Sequence, residues 1–212
     1  MAVVVVGGNA RSVGKTSVVA GLIVRLPELR WTAMKITQHE HGLRMADGSV
    51  YDCQTDDRTF AISVERDAES GTDTARYLKA GAVRSLLVRT RQGMLAEAMP
   101  RIREELAMAE NAILESNSVM QFLRPDLYLM VLDAGMADFK DSARLFLDRA
   151  DAVLVRATEL EPQWTGVSER LFEGKSQFVI APPGYVTDDV AAFVRARTEL
   201  ANARDFVRSP LR

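Results

Sequence analysis

The sequence predicts an α/β fold with three layers, in which helices cover both faces of a mainly parallel, doubly wound sheet. Short apolar runs alternate with amphipathic segments of helical spacing along most of the chain, and this alternation is typical of parallel sheets. The apolar runs are continuous in Val, Ile and Leu, as expected for strands that are buried on both faces. The length of 212 residues suits a single domain over 1–212.

The individual elements follow from these patterns. The apolar runs predicted to be strands are 2–6, 31–36, 83–90, 111–115, 126–133, 151–156 and 176–181. Helices are predicted between and after them, including one over 72–82 that ends at Gly81. The stretch 37–70 is long for a connection and lacks a clear period. Because long loops in compact domains are often functional, we expect a functional loop or insertion there.

The composition excludes several classes of partner. Apolar residues make up 47% of the chain, and the net charge is -2, which argues against nucleic acid as the main partner. Cys53 is the only cysteine, so we expect no internal disulfide and a reducing compartment. The N-terminal apolar run is too short for a signal peptide, and no apolar stretch approaches a membrane span. We therefore expect a cytoplasmic protein without a membrane partner.

The stretch VVVVGGNARSVGKTS (3–17) predicts a phosphate-binding loop (P-loop) between a strand and a helix. The common pattern, G-x-x-x-x-G-K-[ST], would put a glycine where Asn9 stands; Gly8 lies one residue earlier. Asn adopts positive φ more readily than most residues, so this spacing is tolerable. Backbone N–H groups and the helix N-terminus would stabilise phosphates. Lys15 would reach the β- and γ-phosphates, and the Thr16 hydroxyl would ligate Mg²⁺.

Ten consecutive residues make up the predicted nucleotide-binding loop. They are Gly8, Asn9, Ala10, Arg11, Ser12, Val13, Gly14, Lys15, Thr16 and Ser17. Arg11 is unusual inside such a loop. Its side chain either points to solvent or folds over the phosphates as a charge clamp, and both interpretations stay open.

The segment GNARSVGKT (8–16) resembles the G-T-x-x-x-V-G-K-T loop of dethiobiotin synthetases and their relatives. These proteins belong to the branch of P-loop proteins that includes the nitrogenase-iron-protein and signal-recognition GTPase families. The lysine that marks the partition-ATPase type of loop would stand at position 10, where this chain has Ala10. This difference argues against a dimerising ATPase switch of that kind.

Three further segments resemble the molybdopterin-guanine dinucleotide biosynthesis B family, in the family's order. AMKITQHEHG (33–42) is similar to its I-K-H-T-H-H-D motif, and SGTDTARYLKAGA (70–82) to its G-K-D-S-x-R-x-x-x-A-G-A block. NAILESNS (111–118) lies where the family has a strand that ends in V-E-G-F. Together with the loop, these segments cover roughly the first 120 residues.

The chain departs from the family at three positions. Ile36 replaces the first His after the strand-end lysine, and Ser116 and Asn117 replace the Gly-Phe pair after the acidic residue. The resemblance therefore indicates a divergent relative whose substrate need not be molybdopterin.

The resemblance implies a set of metal-binding and catalytic residues. Glu115 would be the acidic residue near Mg²⁺ or its water, at the carboxyl edge of the sheet where ligands bind. Thr16 and Asp73 complete the predicted metal site, although Asp73 also suits an ordinary first helical turn, where its charge favours the helix dipole. Alternatives for a second metal contact are Asp52, Asp56 and Asp57. Lys15, Glu115 and Lys35 are the predicted catalytic residues.

The substrate side of the site is predicted at the end of the second strand. Lys35 could hold a phosphate or an anionic substrate there, and His39 follows in the same segment. A strand-end lysine and a surface histidine also need no function, so both explanations stay open. Two histidines without a neighbouring cysteine are too few ligands for a transition-metal site.

The base-binding residues are predicted from the late strands. GTP-specific relatives carry N-K-x-D there, and VLVRATELEP (153–162) has Arg156 in place of Asn and Glu159 in place of Asp. A carboxylate could still accept hydrogen bonds from guanine. Pro182 in APPGYV (181–186) is expected on the other wall of the base site, as in adenine-binding relatives. The choice between ATP and GTP stays open.

Three hypotheses of function follow. The first is a Mg²⁺-dependent nucleoside-triphosphate-binding protein with slow hydrolysis, acting in cofactor biosynthesis with a protein partner or a cofactor intermediate. The second is an ATP-dependent small-molecule kinase or a dethiobiotin-synthetase-like ligase, with Lys35, His39 and 37–58 around its substrate. The third is a nucleotide-binding interaction module without catalysis. A homodimer is also expected from the loop class.

Overall fold

The computed structural model describes residues 1–39, 59–158, 164 and 166–208. Within these residues, eight strands form one sheet in the order β3-β4-β2-β5-β1-β6-β7-β8. The strands are β1 (Val3–Gly8), β2 (Trp31–His39), β3 (Phe60–Val64), β4 (Arg84–Arg91), β5 (Asn111–Glu115), β6 (Leu127–Asp133), β7 (Ala152–Arg156) and β8 (Ser176–Ile180). Every described pair of neighbouring strands is parallel except β3 with β4, which is antiparallel.

Helices cover both faces of this sheet. They are α1 (Lys15–Arg25), α2 (Asp73–Lys79), α3 (Leu95–Ala107), α4 (Asp141–Phe146) and α5 (Asp188–Arg208). On one face, Leu22 of α1, Tyr77 of α2 and Val190 of α5 belong to one apolar core. On the other face, Ile102 of α3 and Phe146 of α4 belong to a second core. The prediction of a three-layer, mainly parallel α/β fold is confirmed.

Strand β1 shows why the apolar runs are continuous. Val4 and Val6 belong to the core on one face, and Val5 belongs to the core on the other. Since successive side chains point to opposite faces, a strand with helices on both sides must be apolar at every position. The predicted strand 111–115 coincides with β5.

The structure differs from the predicted loop over 37–70 at both of its described ends. Strand β2 continues to His39, because its residues Thr37 and His39 pair with Arg89 and Arg91 of β4. β3 lies at the edge of the sheet, where Phe60 pairs with Thr90. Asp52, Cys53, Asp56 and Asp57 lie outside the described residues.

Among the described residues, no helix combines the length and the apolar character that crossing a membrane requires.

Candidate nucleotide-binding site

The carboxyl ends of three neighbouring strands bring the predicted site together. The order β2-β5-β1 places β5 between the other two. In the strand register, Val6 of β1 and Lys35 of β2 both pair with Glu115 of β5. Residues that are far apart in sequence are thus neighbours at one edge, where ligands of parallel sheets bind.

The P-loop connects β1 to α1 in a conformation that depends on Gly14. Gly14 has φ 106°, in the left-handed region that favours glycine, and helix α1 begins at the next residue. An added Cβ at Gly14 would lie only 2.3 Å from Cε1 of Tyr185. Tyr185 therefore packs closely against the C-terminal end of the loop.

Asn9, which stands where the common motif has glycine, is fully buried and connects the loop to the segment after β6. Its Oδ1 accepts a hydrogen bond from the Asp133 N–H at 3.1 Å, and its Nδ2 donates to the carbonyl oxygens of Asp133 and Asp138 at 3.3 and 3.4 Å. The Asn9 carbonyl accepts from the Lys140 N–H at 2.8 Å. A glycine here would lose the three side-chain bonds, so Asn9 has a structural use for its amide.

Asn117 fixes the other side of the loop. Its Oδ1 accepts from the Gly8 N–H at 2.8 Å, and its Nδ2 donates to the Gly8 carbonyl at 3.0 Å. An added Cβ at Gly7 would lie 2.3 Å from Asn117 Oδ1. The residue that departs from the Gly-Phe pair of the resembled family is therefore a support of the P-loop.

The ammonium of Lys15 lies inside the curve of the loop. Its Nζ donates to the Ala10 carbonyl at 2.6 Å. Burial lowers the pKa of Lys15 to about 8, and the ammonium of Lys140 is the next largest cause. A desolvated ammonium beside exposed backbone N–H groups favours an anion, and bound phosphate would offset both causes.

The hydroxyl of Thr16 joins the loop to β5. Thr16 Oγ1 donates to Glu115 Oε2 at 2.8 Å, and the hydroxyl of Tyr77 on α2 donates to the same carboxylate oxygen. The carboxylate is 6% exposed. Burial raises the pKa of Tyr77 well above its ordinary value, and the Glu115 carboxylate adds to the increase. Tyr77 therefore stays a neutral donor.

Lys35 lies among the three residues that were predicted to bind metal. Its Nζ is 2.5 Å from Asp73 Oδ2, 2.9 Å from Glu115 Oε1 and 3.4 Å from Thr16 Oγ1. Burial alone would lower the pKa of Lys35, but the carboxylates of Glu115 and Asp73 outweigh it and raise the pKa. Four of the residues predicted to be catalytic or metal-binding, Thr16, Lys35, Asp73 and Glu115, thus form one connected cluster.

This cluster fits magnesium only with help from a ligand. Two carboxylates and a hydroxyl are the hard oxygen donors that Mg²⁺ prefers, and Mg²⁺ commonly completes its coordination with phosphate oxygens and water. Among the described residues, no group of three or more His, Cys, Asp or Glu side chains is arranged to hold a metal alone. Thr16, Glu115 and Asp73 therefore suit a magnesium ion that arrives with a nucleotide, provided that the Lys35 ammonium shifts from between them.

An open cleft of about 1470 Å³ lies over the loop and the cluster. Thr37 and His39 line its extension beyond Lys35, and Thr37 Oγ1 lies 3.0 Å from His39 Nε2. Further polar residues that line it are Gln38, Arg76, Gln92, Ser116, Ser118, Gln121, Lys140, Ser142 and Arg144. Arg76 donates to Ser17 Oγ at 3.0 Å, which ties α2 to the start of α1.

The predicted base-binding residues are not brought together in the same way. The described residues that line the cleft include neither Arg156 nor Pro182. The guanidinium of Arg156 lies 2.7 Å from Asp133 Oδ2, and Pro182 is joined to Pro183 by a cis peptide bond. Tyr185, from the quoted APPGYV segment, lines the cleft instead. Glu159 lies outside the described residues.

Four residues of the site were missed from the sequence: Tyr77, Lys140, Tyr185 and Asn117 as a support. Tyr77 could have been found, because it stands four positions after Asp73 and so lies on the same face of the predicted helix. No sequence pattern marked Lys140, since only the return of the chain after β6 brings it beside the P-loop.

No protein-family model matches the chain, and no curated protein matches it in sequence. Solved structures do match its fold. LpxK from Aquifex aeolicus in complex with ATP has a TM-score of 0.50 at 18% identity, covering 84% of this chain and 53% of LpxK. This chain thus spans about half the length of LpxK. HypB from Helicobacter pylori in complex with nickel has a TM-score of 0.50 at 13% identity, covering 93% of this chain and 87% of HypB.

MobB from Bacillus subtilis, a member of the family that the sequence motifs resemble, also matches. It has a TM-score of 0.42 at 14% identity and covers 92% of this chain and 97% of MobB. At these identities the comparisons concern the fold. The chain has the α/β fold of the P-loop NTPases.

Proposed function

We propose that this protein binds a nucleoside triphosphate together with Mg²⁺ in the cleft over the P-loop and hydrolyses it slowly. One observation carries the proposal. Thr16, the hydroxyl residue after the loop lysine, donates at 2.8 Å to Glu115 at the end of the adjacent strand. A hydroxyl and a carboxylate in contact beside a loop lysine are the protein groups that P-loop NTPases use around Mg²⁺.

Each group of the site would bind the part of the nucleotide or metal that suits its chemistry. The N–H groups of the loop and the N-terminus of α1 would bind phosphate oxygens. Lys15 would exchange its bond to the Ala10 carbonyl for charge-assisted bonds to phosphate. Mg²⁺, when bound, neutralises charge on the phosphates. Glu115, held by the Tyr77 hydroxyl, would orient the metal or its water once the Lys35 ammonium has shifted.

The resemblance of three motifs to the molybdopterin-guanine dinucleotide biosynthesis B family supports a more specific proposal. The protein would act in cofactor biosynthesis, where nucleotide binding is coupled to a protein partner or a cofactor intermediate. A cytoplasmic location and a homodimer stay predictions.

A second candidate function is ATP-dependent phosphorylation or ligation of a small molecule. The extent of the cleft favours it, because the lining continues past Lys35 to Thr37, His39 and Gln92. An acceptor with polar or anionic groups would fit this extension. Lys35 lines the same cleft, so its ammonium could contact such an acceptor.

Phosphate release from ATP and from GTP, with and without Mg²⁺, tests the proposal. Slow, Mg²⁺-dependent release that is lost in Lys15→Ala is expected. Stimulation by orders of magnitude with a small anionic metabolite would favour the second candidate. Tight binding without release, even with a partner present, would favour a non-catalytic interaction module, and release that persists in Lys15→Ala would contradict the proposal.

A further inference from the structure

Two cations on one wall of the cleft have no role in the contacts described so far. Arg11 extends from the tip of the P-loop, and Lys140 precedes α4. Arg11 is exposed and Lys140 is half-buried. Within the part of the chain that the structure describes, neither side chain forms an ion pair or a hydrogen bond. By contrast, Lys35, which also lines the cleft, is paired with two carboxylates.

The backbone of Lys140 is fixed to the beginning of the P-loop. Its N–H donates to the Asn9 carbonyl at 2.8 Å. The Asn9 side chain also holds Asp133 and Asp138, at the two ends of the segment that precedes Lys140. The main chain at residue 140 therefore stays at a set position relative to the phosphate site, and only its side chain has to move toward a ligand.

The charges on this wall repel one another. Burial lowers the pKa of Lys140, and the Arg11 guanidinium is the next cause; Asp138 and Glu115 act in the opposite direction. Lys140 is also, after burial, the group that lowers the pKa of Lys15 most. Three cations thus face one space, and the nearby carboxylates offset their repulsion only in part. A polyanion placed between them would remove the repulsion that the ligand-free protein carries.

The two ends of the loop indicate which phosphate would meet these cations. Tyr185 packs against Gly14, at the end where α1 begins. Lys140 is bonded to Asn9, at the opposite end. The loop N–H groups would hold the phosphates that di- and triphosphates share, and Lys15 would reach from these to the terminal phosphate. The terminal phosphate, which is present only in the triphosphate, would lie on the Asn9 side.

We infer that Lys140, with Arg11 beside it, is a binding site for the terminal phosphate of a nucleoside triphosphate. The inference rests on the proposed nucleotide binding and adds discrimination between the triphosphate and the diphosphate. Lys140 is joined through Asn9 to the segment after β6. Loss of the terminal phosphate would therefore change the contacts of that segment as well as those of the loop.

Calorimetric titration with a non-hydrolysable triphosphate analogue and with the matching diphosphate, both with Mg²⁺, tests this site. Lys140→Met keeps the aliphatic stem and the backbone bond to Asn9 but removes the charge. The expected result is roughly tenfold or greater loss of triphosphate affinity, as for one charge-assisted bond, with diphosphate affinity nearly unchanged. Lys140→Arg should retain most of the discrimination. Lys79→Met, which removes an exposed lysine of α2 outside the cleft, should change neither affinity.

The outcomes separate this inference from the proposed function. Equal loss of both affinities in Lys140→Met, or no loss of either, would overturn the terminal-phosphate site while leaving nucleotide binding intact. Failure of the wild-type protein to bind either nucleotide would overturn the proposed function and this inference with it. A thermal unfolding curve for each variant, matched to that of the wild type, shows that the comparison concerns folded protein.

Discussion

Thr16 and Glu115 are 99 residues apart in sequence, yet the Thr16 hydroxyl donates to the Glu115 carboxylate at 2.8 Å. The bond forms because β5 lies beside β1 and the two strands end at the same edge of the sheet. It links the helix that follows the P-loop to the acidic residue on which the proposed magnesium site depends.

Glu115→Gln should remove most of the effect of Mg²⁺ on triphosphate binding. Glutamine keeps the shape of the side chain, but its neutral amide is a weaker ligand for Mg²⁺ or its bound water than a carboxylate. We expect the gain in affinity on adding Mg²⁺ to fall by roughly tenfold, about 1.4 kcal/mol, in paired titrations with and without the metal.

Glu105→Gln is the matched control for that experiment. Glu105 is a buried carboxylate on α3 that pairs with Arg84 and Arg101, and it does not line the cleft. Its loss should lower stability without changing the effect of Mg²⁺. An undiminished Mg²⁺ effect in Glu115→Gln would contradict the assigned role of Glu115.

Two buried tyrosines should respond in opposite ways to the loss of a hydroxyl. Tyr77 donates to the Glu115 carboxylate, so Tyr77→Phe leaves a buried charge with one donor fewer and should cost about 1–3 kcal/mol. Among the described residues, the buried Tyr128 hydroxyl has no hydrogen-bond partner. Tyr128→Phe should therefore be neutral or stabilising, within about 0.5 kcal/mol.

Chemical denaturation of the two Phe variants measures this difference directly. Equal destabilisation would mean that the Tyr77 contact with Glu115 contributes little. A decrease in nucleotide hydrolysis in Tyr77→Phe alone would also connect this bond to the site, since both tyrosines are buried and differ in their contact with Glu115.

Lys35→Met should make the protein's stability depend on magnesium. The substitution leaves the buried Glu115 carboxylate without its cationic partner, which should cost about 3 kcal/mol. A divalent cation could then occupy the space between the oxygens of Thr16, Asp73 and Glu115. Millimolar Mg²⁺ should raise the Tm of this variant more than that of the wild type.

Lys79→Met serves as the control, because Lys79 pairs with Glu69 at an exposed position of α2. Its Tm should stay near that of the wild type and should not respond to Mg²⁺ more strongly. The prediction fails if Mg²⁺ shifts the Tm of Lys35→Met and of the wild type equally.

Asn111 begins β5 and Asn117 lies just after it. Variants of these two residues distinguish an effect on the P-loop from an effect on general stability. Asn117 holds Gly8, whereas Asn111 bonds to the Ala2 N–H and the Leu29 carbonyl at the amino end of the strand. Each change to Ala should cost about 1–3 kcal/mol, because buried backbone groups lose their partners. Nucleotide affinity should fall by roughly tenfold, about 1.4 kcal/mol, in Asn117→Ala.

Asn111→Ala should keep the affinity of the wild type, because its contacts lie at the opposite end of the sheet. Denaturation and calorimetry on both variants give the two quantities independently. A loss of affinity that simply follows the loss of stability in both variants would mean that Asn117 has no special role at the loop.

The fold could be predicted because its strands are buried on both faces. β5 and β6 each contain a continuous apolar run that leaves little ambiguity, and every residue of each strand is buried. β3 could not be found in this way. It is a short edge strand whose side chains are at most partly buried, so its sequence lacks a continuous buried run. It also pairs antiparallel with β4, unlike the other strands.

The site could be predicted as a set of residues but not as an arrangement. Lys15, Thr16, Lys35, Asp73 and Glu115 were all identified from motifs. That Lys35 lies between Asp73 and Glu115 depends on strand β2 lying beside β5, which the sequence does not state. Arg156 was predicted from a position alone, and its bond to Asp133 depends on the neighbouring strand.

Calorimetric titration of the wild type and Lys15→Ala with non-hydrolysable ATP and GTP analogues, with and without Mg²⁺, tests nucleotide binding most directly. The expected result is Mg²⁺-dependent binding of at least one analogue and a loss of roughly 100-fold or more in Lys15→Ala, about 3 kcal/mol. Binding of neither analogue by the wild type, or an unchanged affinity in Lys15→Ala, would contradict the assignment of this cleft to a nucleoside triphosphate.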